Sequence, residues 1–205
     1  MKNTKPLFLT TIFLIPFLLG VGIVGYWYWT VHVERQVMLP SYGSIPQFSL
    51  TAEDGRTITK ETFNQKVSIV DFIFTECAGA CPMMSTKMAD FQDRFKNNPN
   101  IQFVSISVDP ITDTPPVLTA YANQYGAMKE KWIFLTGEKK EIIRLTKDGF
   151  HLDIADEQDS TIIHSQKFVL VDYQGTIRGY YDSEDQNDVS ALTRDAAVLS
   201  SKISS

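Results

Sequence analysis

The chain has 205 residues, a length that predicts one domain with an appendage and excludes a multidomain machine. With 43% apolar and 21% charged residues, collagen-like, disordered and low-complexity readings are excluded as well. The net charge of −5 becomes −7 once Lys2 and Lys5 are set aside, which excludes a body that wraps nucleic acid, and two cysteines are too few for a disulfide scaffold or a four-cysteine metal site.

Pro6 to Val33 contains no Asp, Glu, Lys or Arg, and Leu7 to Trp29 is an apolar run of 23 residues. A helix of that length spans about 30 Å of hydrocarbon, and Tyr26-Trp27-Tyr28-Trp29 suits the aromatic belt at a headgroup boundary. The competing reading is a cleaved signal peptide, but the apolar stretch exceeds the usual ~7–15 residues and bulky aromatics stand where small cleavage-site residues belong. Residues 1–33 are therefore expected to be a cytoplasmic N-terminus and a single-pass transmembrane anchor. Lys2 and Lys5 before the span, against the cancelling Glu34 and Arg35 after it, place the N-terminus in the cytoplasm and the body outside. Residues 34–46, ending in VMLPSYGSIP, read as a linker.

The body, 47–205, alternates β-rich and helical patterns. Phe48–Thr51 and Thr57–Thr59 flank an Asp54-Gly55 hairpin turn. Val67–Phe74 (VSIVDFIF) is nearly continuous β-branched and aromatic sequence, as expected of a strand buried on both faces. Met84, Met88, Phe91 and Phe95 form a helical stripe between Pro82 and Lys96. Ile101–Val108 predicts a strand, Pro115–Tyr125 a helix, Trp132–Leu135 a strand, and Lys139–Lys147 a helix stopped by Asp148-Gly149. Gln166–Asp172 and Thr176–Tyr181 predict a hairpin, and a helix from Gln186 closes the chain. The pattern is α/β, a mixed central sheet flanked by helices. A long central strand leading into a cysteine loop and a helix is the thioredoxin-like arrangement.

Cys77 and Cys81 lie in FTECAGACP, where that strand ends and the next helix begins. Open α/β sheets place ligand chemistry at such strand ends, and the amides of a helix N-terminus lower thiol pKa. About one helical turn separates the sulfurs, so they can form a disulfide or converge on one soft metal. A purely structural disulfide is the plainer alternative, but a loop this small stabilises a fold little. A metal held by two thiolates wants a third ligand. His32 adjoins the apolar span, and His151 reads as a structural residue at a strand start. His164, in STIIHSQKFVLVD, can be a ligand or a bystander.

The chain resembles the Sco (SenC) family of membrane-anchored, copper-binding thioredoxin-fold proteins that assist cytochrome c oxidase assembly. Three segments carry the resemblance: FTECAGACP (Phe74–Pro82), SISVDPITDTP (Ser105–Pro115) and IHS (Ile163–Ser165) before an apolar strand and a VD-x-x-G turn. It covers roughly Ile45 to Ala197. Ala78 departs from the proline that many members carry after the first cysteine; it removes no ligand. The resemblance implies that Cys77, Cys81 and His164 bind copper, Cu(I) or Cu(II), with the domain facing the periplasm or the mitochondrial intermembrane space, and a chain that begins at its anchor favours the bacterial inner membrane. It implies oxidase subunit II as partner, with another periplasmic copper chaperone, and no nucleic acid. Thiolates are soft ligands that favour Cu(I), in agreement with that assignment. Asp109 either tunes the site or caps a turn, Asp113-Thr114-Pro115 sets a turn and a helix start, and Met84 belongs to the core stripe rather than to the metal.

Three functions follow. The first is a copper metallochaperone that delivers to the dinuclear copper site of oxidase subunit II. The second is a thiol–disulfide oxidoreductase that reduces the cysteines of that site, with Cys77 as nucleophile and Cys81 as resolving thiol. Against it, the chain has no proline after Pro116 to stand as the cis-proline of thioredoxin-type reductases. The third is a thiol peroxidase, for which Thr75 is available but no Arg or Lys lies between Val67 and Thr86.

Overall fold

The computed structural model describes residues 18–27, 39–152 and 166–203, in two units that divide after Met38. In the first unit, residues 18–27 are helical and exposed. Among the described residues no helix is long and apolar enough to cross a membrane; the rest of the apolar run of the expected anchor lies outside them.

The second unit is built on a seven-stranded sheet. A hairpin of β1 (Ser49–Ala52) and β2 (Thr57–Thr59) closes over Asp54-Gly55, where Gly55 takes the positive φ of 86° that the turn requires. A 3-10 turn, Lys60–Phe63, leads to β3 (Val67–Ile73). There follow α1 (Ala80–Arg94), β4 (Ile101–Ser107), α2 (Pro115–Gln124), β5 (Trp132–Thr136) and α3 (Lys139–Arg144). After α3 the helix widens into a π turn, Leu145–Gly149, instead of running on to Lys147 as a regular helix. The hairpin β6 (Lys167–Val171) and β7 (Ile177–Asp182) and the helix α4 (Gln186–Ser201) complete the unit.

The strand order is β2-β1-β5-β4-β3-β6-β7. The three central strands β3, β4 and β5 are mutually parallel, and β1, β6 and β7 join antiparallel to their neighbours. Every residue of β3, β4 and β5 is buried, as near-continuous apolar runs require. Because side chains alternate, Ile69, Ile73 and Phe103 meet Met84 and Met88 of α1, Leu118 of α2 and Leu192 of α4 on one face. Val70, Phe72, Val104 and Ile106 meet Phe63, Ile142 and Phe150 on the other.

Residues 42–45, within the stretch that reads as a linker, pack on the sheet. The amide of Tyr42 donates to the Ile177 carbonyl at 3.0 Å, that of Ile177 to Gly43 at 2.8 Å, and that of Ile45 to Gly175 at 3.0 Å, with Ile45 fully buried. His151 does not start a strand: it is exposed at a φ of 51°, with its ring beside Gly43.

Candidate metal centre

Parallel pairing of β3, β4 and β5 brings their C-terminal ends to one end of the sheet. From there β3 passes through an irregular loop, residues 74–79, into α1. That helix starts two residues ahead of Pro82, so Cys81 sits in its first turn while Cys77 stays in the loop. The Cys77 amide donates to the Phe74 carbonyl at 3.2 Å, and the Gly79 amide points at the Cys77 sulfur at 3.4 Å. Both thiols are free, and at 7% and 6% exposure both are buried at the margin of the α1–α2–α4 core.

The two thiols are unequal. Burial pushes Cys77 up, but hydrogen bonds from the Cys81 amide, the Cys81 thiol and the Gly79 and Ala80 amides outweigh it, and Cys77 ends below the ordinary thiol value. Cys81 is pushed up to about 12, first by burial, opposed by a hydrogen bond from the Phe74 backbone, and further by its bond to Cys77 and the negative charges of Cys77 and Asp71. Cys77 is therefore the more acidic thiol of the two.

Two buried carboxylates serve this end of the sheet. Asp71, the lone charge in β3, is fully buried; Oδ1 accepts from the Ser105 hydroxyl at 2.6 Å, and Oδ2 has no partner among the described residues. Burial pushes its carboxyl up to about 7, with the Ser105 bond and a bond to its own backbone amide opposing. Trp132 Nε1 also donates to the Ser105 hydroxyl, at 2.9 Å. Asp113 is fully buried too, and Asp113-Thr114-Pro115 forms a turn and the start of α2 as expected. Thr114 is the N-cap of α2 without any side-chain capping bond, and the Asp113 carboxylate turns away from that helix. It accepts from the Thr75 amide at 3.1 and 3.2 Å, from the Thr75 hydroxyl at 2.5 Å and from the Ser107 hydroxyl at 2.5 Å. The half-buried Asp109 joins through its backbone: its amide donates to Ser107 Oγ at 3.1 Å, and its carbonyl accepts from the Asp113 amide at 2.9 Å.

Cys77 and Cys81 are thus brought together as expected, while His164 and His32 lie outside the described residues. Among the described residues no three His, Cys, Asp or Glu side chains gather in a group that could hold a metal. His151 stands by Gly43, and Met84 is 1% exposed in the core, in keeping with its place in the helical stripe. The Thr75 hydroxyl, which a peroxidase reading needs for its thiolate, donates to Asp113 instead. Asp71 and Asp113 escaped the sequence reading as site residues; a lone carboxylate inside VSIVDFIF was the visible signal for the first.

The chain matches the family model described as SCO1/SenC over residues 40–198. A SCO1/SenC family lipoprotein from Bacillus anthracis has a solved structure 30% identical in sequence, with a TM-score of 0.70 over 77% of this chain and 95% of that one. BsSco, described as a member of the Sco family of cytochrome c oxidase assembly proteins with a disulfide switch, is 28% identical with a TM-score of 0.70, over 81% and 99% of the two chains. The copper-bound structure of ScoI from Arabidopsis thaliana is 29% identical with a TM-score of 0.63, over 77% and 98%.

Proposed function

This chain belongs to the SCO1/SenC family, and from that premise we propose that it is a copper metallochaperone whose site is Cys77, Cys81 and His164. The observation that carries the reading is the pair of free, buried thiols where β3 hands over to α1, with the Gly79 amide pointing at the Cys77 sulfur. Two thiolates form a soft donor set, and an imidazole completes three-coordination for Cu(I); Cu(II) takes a further oxygen ligand. Copper uptake displaces the thiol protons of both cysteines. The copper held by Arabidopsis ScoI supports the choice of metal, and the oxidase-assembly role of BsSco supports a respiratory target. That target is the dinuclear copper site of cytochrome c oxidase subunit II, reached by ligand exchange, with another periplasmic copper chaperone as donor. Residues 1–33 anchor the chain in the inner membrane with the N-terminus cytoplasmic and 47–205 in the periplasm. The charge-free run and the lipoprotein nature of the Bacillus anthracis relative support membrane attachment.

A Cu(I) competition titration of the full chain in detergent tests the site. One equivalent is expected, lost in a Cys77→Ser/Cys81→Ser variant and held more weakly by His164→Ala. Wild-type affinity in the histidine variant overturns the ligand set.

The unequal thiols favour a second reading, a thiol–disulfide oxidoreductase acting on the same target. The Cys77 thiolate attacks the disulfide of the target's copper-ligand cysteines and forms a mixed disulfide as one target thiolate leaves. Cys81 then displaces the second, so the target gains two electrons and Cys77–Cys81 becomes the disulfide. Cys81→Ser is expected to trap the mixed disulfide; a trap that instead requires Cys77→Ser reverses the roles.

A further inference from the structure

We propose that Asp113 is a positioning residue for the cysteine loop: it clamps the Phe74–Thr75 peptide, which in turn sets the backbone of Cys77. The inference rests on the cysteine site read above. A buried carboxylate ordinarily has a cation beside it or caps its own helix. Asp113 does neither among the described residues. Its partners are the amide and hydroxyl of Thr75, 38 residues earlier in the chain, and the hydroxyl of Ser107 at the end of β4.

The geometry converges on one peptide plane. The Thr75 N–H and the Phe74 C=O belong to the same rigid, trans peptide group and point in opposite directions. Asp113 holds the N–H end. The C=O end accepts from the Cys77 amide at 3.2 Å. Fixing one end therefore fixes the acceptor that orients Cys77, and the Thr75 hydroxyl bond at 2.5 Å prevents the plane from rotating about the chain. The same carboxylate takes Ser107, whose oxygen receives the Asp109 amide, and so locks the loop after β4 to the loop after β3. Without the clamp, residues 74–79 have lost the anchor that lies closest to Cys77 in the chain.

The test compares Asp113→Asn, Thr75→Val and Thr75→Ser in the full chain in detergent. Two readouts are used: Cu(I) affinity, and the equilibrium constant of the Cys77–Cys81 dithiol–disulfide pair against glutathione. Asp172→Asn is the control, a buried carboxylate bound to the Gln174 and Thr176 amides and to Arg178 in the β6–β7 turn. Asn offers a donor to neighbours that are themselves donors, so Asp113→Asn is expected to weaken Cu(I) binding about tenfold, the size of one lost hydrogen bond to a charged group, and to shift the glutathione constant comparably. Thr75→Val shifts both in the same direction and less, Thr75→Ser restores them, and Asp172→Asn lowers stability while leaving both at wild-type values. If Asp113→Asn and Thr75→Val lose stability but keep the wild-type glutathione constant, the positioning role is refuted. Should Asp113→Asn not fold, the Thr75 pair decides on the same criterion. Should the wild type bind no copper, the chaperone reading falls and the glutathione constant still decides the role of Asp113.

Discussion

Replacing Asp71 by Asn isolates the cost of a charge inside the central strand. The carboxyl is fully buried and pushed up to about 7 from an ordinary 3.8. Between about pH 4 and pH 7 the unfolded chain therefore gives up this proton while the folded chain keeps it. Stability contributed by the neutral form is complete below the unfolded value and is lost as pH rises through the folded one. About three units at roughly 1.4 kcal/mol each set an upper bound of about 4 kcal/mol for the loss. Asn keeps the oxygen that accepts from Ser105 and places its NH2 group at the unpartnered Oδ2, much as the protonated acid places its OH. Urea denaturation of both proteins is expected to show the stability of the Asn variant relative to the wild type rising by about 2–4 kcal/mol between pH 4 and pH 8. Other groups contribute their own pH dependence to both proteins and cancel in the difference. Parallel stability curves across this range would refute the reasoning.

Three further substitutions probe the packing of residues 42–46. Ile45→Ala empties a fully buried position beside β7 and is expected to cost about 2–5 kcal/mol in denaturant titrations, which a free linker would not. Gly149→Ala puts a Cβ 2.8 Å from Pro46 Cδ and 3.0 Å from Leu145 Cδ1, an overlap expected to cost about 1–3 kcal/mol. Pro46→Ala in the same chain is expected to relieve most of that cost; additive losses in the double variant would show that Pro46 is not the obstacle.

The strands and helices that frame the cysteines were readable because their signals are local. VSIVDFIF and IQFVSIS are runs that only a doubly covered strand accommodates, and the Met84–Met88–Phe91 stripe has helical spacing with all three side chains buried. The cysteine pair was readable for the same reason, since spacing and flanking elements identify it. What escaped the sequence depends on partners far along the chain. Tyr42, Gly43 and Ile45 look like a linker because proline, glycine and serine surround them, yet their hydrogen bonds go to residues 175 and 177. Asp113 sits in a local turn pattern, and nothing within that pattern announces a bond to Thr75. The π turn at Leu145–Gly149 brings Gly149 against Pro46, a tertiary contact that helical propensity does not register.

The sheet margins bear on how the protein tolerates crowding. At one margin β2 is only three residues long, too short a template for another chain to add a strand. At the other, Ile177 at the start of β7 already bonds to Tyr42 and Gly43, Gly175 in the turn before it bonds to Ile45, and the guanidinium of Arg178 reaches the carbonyls of Leu39 and Pro40. Strand-to-strand self-association, the usual route from an open sheet to aggregate, is left only the stretch of β7 beyond Ile177 as a template of useful length.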